Sequence, residues 1–101
     1  MSTINNNFER YKNTLIEIIH KRLPDCKVYL FGSRARGTNQ TGADIDLALD
    51  SKYKIDISIF YKIQDDIEET TIPLTIDLVD LNSASDVLKN EVKKEGVLWK
   101  N

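Results

Sequence analysis

Val28-Tyr29-Leu30-Phe31-Gly32-Ser33-Arg34-Ala35-Arg36-Gly37 and, separated from Ser33 by ten residues, Asp44-Ile45-Asp46-Leu47-Ala48-Leu49-Asp50 decide the fold of this chain. The first stretch is an apolar and aromatic run cut off by glycine, the pattern of a buried strand that ends in a turn. The second alternates strictly, which puts Ile45, Leu47 and Leu49 on one face of a strand and Asp44, Asp46 and Ala48 on the other. Between them, Gly32 to Gly42 holds three of the four glycines among small polar and basic residues, so it reads as loop, or a short helix followed by loop.

Working outward, Phe8, Tyr11, Leu15, Ile18 and Ile19 recur at three- and four-residue steps and predict a helix from Phe8 to Arg22, broken by Pro24 and Asp25. Ile55 to Thr70 carries two patterns, because Ile55, Ile57 and Ile59 alternate whereas Ile59, Ile63 and Ile67 repeat helically. It is read as a helix, with Asp56 as N-cap and Ile55 stapled to Phe60. Pro73 closes that segment and Leu74 to Asp80 gives a third strand, with Asp77 set among apolar neighbours. Ser83 to Glu95 reads as a last helix, capped by Ser83 and ended by Lys93, Lys94 and an αL Gly96. Val97-Leu98-Trp99 is too apolar for water and is an edge strand or a docked segment. The sum is an α/β (α+β) fold: a small mixed sheet of three or four strands, the helices packed on one face, and the acids on the other face or at one edge.

A length of 101 residues allows one domain, residues 1–101. Lys and Arg against Asp and Glu give 14 − 16 = −2, which argues against direct nucleic-acid binding, since that draws on clustered positive charge. The positive charge is local: residues 1–36 carry seven basic and three acidic side chains, residues 37–101 seven and thirteen, so an anionic ligand would favour the first segment. Cys26 stands alone, which excludes an internal disulfide and a multi-cysteine zinc site and fits a reducing compartment. No apolar run approaches the roughly 18 residues of a membrane span, so a soluble, cytoplasmic protein is expected. A domain this small buries only about 60% to 65% of its unfolded-chain surface, and Leu98 and Trp99 are expected to be completed by a partner.

Asp44 and Asp46 project from one strand face at the separation two oxygen ligands need to share a small hard cation. On a solvated face the same pair is plain surface charge, and Asp77 on an edge strand could likewise face water. If the two acidic strands are neighbours, Asp77 brings a third carboxylate to the same point, a site for two magnesium ions bridging a nucleotide's phosphates. Gly32 to Thr38 is not a P-loop, because Gly37 runs straight into Thr38 with no lysine for the β and γ phosphates. A different grip remains, with glycine permitting close backbone approach, Ser33 offering a hydroxyl, and Arg34 and Arg36 adding charge. His20, the sole histidine, is expected on the surface, Cys26 as a packing residue, and Asp65, Asp66, Glu68 and Glu69 as a solvated helix end or a face for a basic partner.

Leu30 to Gly37, Asp44 to Leu47 and Ile76-Asp77-Leu78-Val79 together resemble the minimal nucleotidyltransferases (MNT proteins) of the DNA polymerase β superfamily, over nearly the whole chain. The resemblance implies a polymerase β-like palm in which Gly32 and Ser33 hold the triphosphate and Asp44 and Asp46 bind magnesium. Asp77 would be the third acid, ligating metal and orienting or deprotonating the attacking hydroxyl. The reaction implied is attack of a hydroxyl on the α-phosphorus of a nucleoside triphosphate. Larger members carry an acceptor-binding domain that 101 residues cannot hold. Stand-alone proteins of this size look like the MNT antitoxin of pairs with an all-helical HEPN ribonuclease toxin, in which AMP from ATP is added to a tyrosine of the toxin. The expectation is thus a Mg2+- and ATP-dependent adenylyltransferase working in a hetero-oligomer. The rivals are a non-catalytic, nucleotide-binding antitoxin that covers its partner, and a transferase acting on a small molecule or RNA.

Overall fold

The computed structural model describes residues 3–100. In chain order it contains α1 (Thr3–Arg22), β1 (Lys27–Phe31), α2 (Ser33–Arg36), β2 (Ile45–Asp50), α3 (Ile57–Glu68), β3 (Ile76–Asp80), a 3-10 turn (Leu81–Ser83), α4 (Asp86–Glu95) and β4 (Val97–Lys100). The four strands form one mixed sheet in the order β3-β2-β1-β4. β1 runs antiparallel to both β2 and β4, and β2 pairs with β3 in parallel, as the intervening α3 crossover allows. α1 starts earlier than its apolar stripe predicts, through asparagines whose low helix propensity conceals the extension.

The larger core lies on the face that alternation assigned to Ile45, Leu47 and Leu49, all fully buried there. Val28 and Leu30 of β1, Leu15 and Ile19 of α1, and Ile63 and Ile67 of α3 join them. Each such aliphatic side chain contributes roughly 1.5–3 kcal/mol by leaving water. The ambiguous isoleucine stretch resolves as helix: Asp56 accepts a hydrogen bond from Ser58 N at 2.8 Å, Ile63 is buried, and Ile57 is left exposed.

The expectation of helices on one face only is corrected by α4. Phe31, Ala48 and Val92 are buried together on the opposite face, with Tyr29, Val79 and Leu88 around them. Ala48, which alternation grouped with the acids, is fully buried because its small side chain leaves room for Val92. Trp99 is also corrected, since it docks on its own chain: its ring meets Phe8 edge-on at 6.1 Å, and Lys12 Nζ lies 5.7 Å from it. Val97 and Leu98 of β4 stay exposed at the sheet edge.

The α4 cap is Ser85, not Ser83. Asp80 accepts from Asn82 N at 3.0 Å and starts the 3-10 turn that absorbs Ser83, and Ser85 Oγ then accepts from Leu88 N at 3.2 Å. Gly96 is extended rather than αL, with φ −66°, and a side chain there would strike the Val92 carbonyl. Ser85→Ala should therefore cost about 1 kcal/mol in urea unfolding and Ser83→Ala less than about 0.5 kcal/mol, the reverse of what the sequence alone predicts. His20 is half-buried, and its Nε2–H donates to the Cys26 carbonyl at 2.8 Å, securing the turn into β1. Burial pushes the Cys26 thiol up to about 12, which keeps it an unreactive packing group. Of the four acids at the end of α3 and its cap, Asp66 ties α3 to α1 through Arg22 Nε at 2.8 Å.

Candidate active site

Parallel register sets Asp46 directly opposite Asp77, and Phe31 pairs with Asp46 from the other side. Strand parity turns all three side chains to the face that α4 covers. Two residues farther along the strands, the row Tyr29, Ala48 and Val79 packs under Val92 and Leu88. The acid-bearing row lies beyond that cover, so Asp46 is half-buried and Asp77, on the edge strand, is exposed. Asp44 precedes β2 rather than opening it and is exposed.

Gly32 brings the turn after β1 to this row. Its φ of +76° and ψ of −156° suit glycine alone, and a Cβ on it would run into the Asp46 carboxylate. Ser33 to Arg36 then makes one helical turn, closed by an αL Gly37, with Arg36 N donating to Gly32 O at 3.2 Å and Thr38 N to Ser33 O at 3.0 Å. The glycine-serine turn and the acid pair are thus neighbours, as their proximity in the sequence pattern suggested.

The two arginines of α2 behave differently. Arg34 donates from Nε and an Nη to the Ala43 carbonyl, at 3.1 and 2.8 Å, and lies over the Phe8 ring at 5.2 Å. It is occupied in holding the 37–43 loop, and this geometry gives no support to its reading as a phosphate cation. Arg36 points toward α4, where its Nη1 meets Glu95 Oε2 at 3.2 Å and Glu91 Oε2 at 3.8 Å.

The electrostatics at the row are one-sided. The Asp46 carboxyl is held above its usual range, first by desolvation and then by the neighbouring Asp77 carboxylate, with weaker repulsion from Asp44 and Glu91. Among the described residues none of Asp44, Asp46 and Asp77 has a basic partner at ion-pair distance. Nor, among the described residues, are any three His, Cys, Asp or Glu side chains placed so that they could hold a metal ion together. The structure brings Asp46 and Asp77 together, while Asp44 stands apart within electrostatic range. Carboxylate oxygens with an uncompensated negative surplus are the donor chemistry of a hard divalent cation, so Asp46 and Asp77 supply two donors that fit one. Glu91 was missed by sequence reading, because only the packing of α4 on this face brings it near Asp46. No described helix is long and apolar enough to cross a membrane.

Residues 13–100 match the family described as Polymerase beta, Nucleotidyltransferase. Among curated proteins, the protein adenylyltransferase MntA of Shewanella oneidensis is 32% identical over 90 residues, covering 87% of this chain and 64% of that protein. The probable protein adenylyltransferase MntA of Haemophilus influenzae is 29% identical over 77 residues, covering 76% and 68%. The chain thus spans about two thirds of the length of these relatives. Among solved structures, a toxin-antitoxin complex crystallised with AMP-PNP superposes with a TM-score of 0.75 at 30% identity, covering 89% of this chain and 73% of that one. The MNT antitoxin complex with a tri-AMPylated Shewanella oneidensis HEPN toxin gives 0.72 at 26% identity, covering 92% and 71%.

Proposed function

The chain belongs to the polymerase beta nucleotidyltransferase family, and on that premise we propose that it is a Mg2+-dependent protein adenylyltransferase, the antitoxin of a cytoplasmic toxin-antitoxin pair. It would act as one domain, residues 1–101, moving AMP from ATP to a tyrosine hydroxyl of an all-helical HEPN-type ribonuclease. The observation that carries this reading is the Asp46–Asp77 pair in β-register beside the Gly32–Ser33 turn. The names of the relatives, adenylyltransferases and a complex with an AMPylated toxin, support its direction.

In this reading Gly32 and Ser33 receive the triphosphate, the glycine by letting phosphate approach the backbone and Ser33 by donating its hydroxyl. Asp46 and Asp77 would hold the divalent metal, with Asp44 swinging in from beside them as the third ligand, and the metal when bound supplies charge to screen the phosphates and polarise the α-phosphorus. Asp77 orients the incoming tyrosine and takes its proton as the new O–P bond forms at the α-phosphorus and the bond to the β-phosphate breaks, releasing pyrophosphate. Its exposure on an edge strand suits an acceptor delivered by another protein.

Incubation with the helical partner, Mg2+ and ATP, followed by intact-mass measurement, should show the partner gaining one or more AMP units. A stable complex with unmodified partner would replace this reading with that of a passive cover. Ser33→Ala should weaken ATP binding by about 1–3 kcal/mol, the range for a lost hydrogen bond to a charged group, and isothermal titration with AMP-PNP checks it. An unchanged affinity would move the phosphate grip elsewhere.

A further inference from the structure

Arg36 lies one helical turn after Ser33, so the two side chains share a face of α2, and a triphosphate seated on Ser33 has Arg36 as its nearest unspent arginine. Arg34 is committed to the Ala43 carbonyl. Yet Arg36 is not idle, because α4 presents two carboxylates to the same nitrogen, Glu95 at 3.2 Å and Glu91 at 3.8 Å. We infer that Glu91 and Glu95 stand in for phosphate at Arg36, so that nucleotide binding is an exchange in which Arg36 leaves the α4 carboxylates for the triphosphate. This rests on the nucleotidyltransferase reading and adds to it the residues that set the affinity for the nucleotide.

Three features govern the exchange. All three side chains are 36% to 44% exposed, and ion pairs this open to water are weak. Both contacts converge on Nη1, so the fork of donors that recognises a phosphate in two-pronged fashion is not used up. Glu91 and Glu95 are themselves anionic and hold Arg36 in place of a ligand, so they act as a brake on a polyanionic one.

The test is a binding cycle by isothermal titration of the full chain with AMP-PNP and Mg2+. Glu91→Gln with Glu95→Gln should tighten binding about three- to tenfold, since it frees Arg36 from two weak pairs. In an Arg36→Gln background the same two substitutions should change affinity by less than about twofold, because nothing is left to free. An equal gain in both backgrounds would mean that α4 acts only through its general charge, and no gain in either would mean that it does not compete; each result overturns the inference while wild-type binding keeps the transferase reading intact. Absence of AMP-PNP binding by the wild type overturns both. Arg36→Lys guards against loss of the α4 tether: it keeps the positive charge, and the gain should be present but smaller than in the wild type.

Discussion

Asp46→Asn should reduce AMP transfer by about a thousandfold or more and at the same time raise the melting temperature of the metal-free chain. The loss follows from removing one carboxylate charge where a divalent cation must be held, an effect of several kcal/mol on the transition state, with each 1.4 kcal/mol worth a factor of ten. The gain follows from the carboxyl being held above its usual value of 3.8 by desolvation and by Asp77. A folded-state acid that binds its proton more tightly than the unfolded one makes stability fall as pH rises from that ordinary value through the folded-state value. Asparagine removes this penalty. The difference in melting temperature should therefore be present at neutral pH in chelator-treated buffer and shrink as pH is lowered toward 3.8. Asp44→Asn, on an exposed residue, should lose transfer as well while changing stability by less than about 0.5 kcal/mol. A variant that loses activity by unfolding would show the opposite thermal shift.

Gly32→Ala should damage both fold and site. At φ +76° and ψ −156° a side chain meets a region that is nearly glycine's alone, at about 1–3 kcal/mol, and the new methyl group collides with the Asp46 carboxylate. The combined cost is expected at about 2–4 kcal/mol in urea unfolding, with transfer down by about a hundredfold or more, because a displacement of about 1 Å at the reacting groups is enough for that. Gly42→Ala separates the two causes. Its φ is +81°, yet beyond its own chain neighbours no atom lies within 4 Å of the place its Cβ would take. It should cost about 1–2 kcal/mol from the backbone alone and leave transfer near the wild-type rate. Equal loss of activity in both variants would show that strain in the loop, not contact with Asp46, governs the site.

Local physical signals reach only as far as the segment that carries them. Alternation along Ile45 to Asp50 was enough to assign faces, because side-chain direction in a strand is local. Parity therefore placed Asp46 with the acids, and the parallel pairing of β2 with β3 then set Asp77 beside it. The helical reading of Ile55 to Thr70 succeeded on its Asp56 cap, again a local feature. What escaped depends on packing between distant segments. Ala48 reads as a polar-face spacer until Val92 of α4 is set on it, and with α4 come Glu91 and Glu95, which no pattern near the aspartates announces. Arg34 and Arg36 are equivalent in sequence, and only the return of the loop to Ala43 separates them. Ser83 reads as the cap of the last helix, and only the 3-10 turn that Asp80 starts moves the cap to Ser85.

In the proposed function, carboxylates from two adjacent strands hold a divalent cation together with a triphosphate at the Gly32–Ser33 turn. Electron paramagnetic resonance of Mn2+ titrated with the wild-type chain and AMP-PNP tests it directly, against Asp46→Asn under the same conditions. The account predicts that the free-Mn2+ signal falls on adding wild-type protein to the Mn2+–nucleotide mixture beyond the fall nucleotide alone produces, and that Asp46→Asn abolishes this extra binding. Equal Mn2+ binding by both proteins would contradict it.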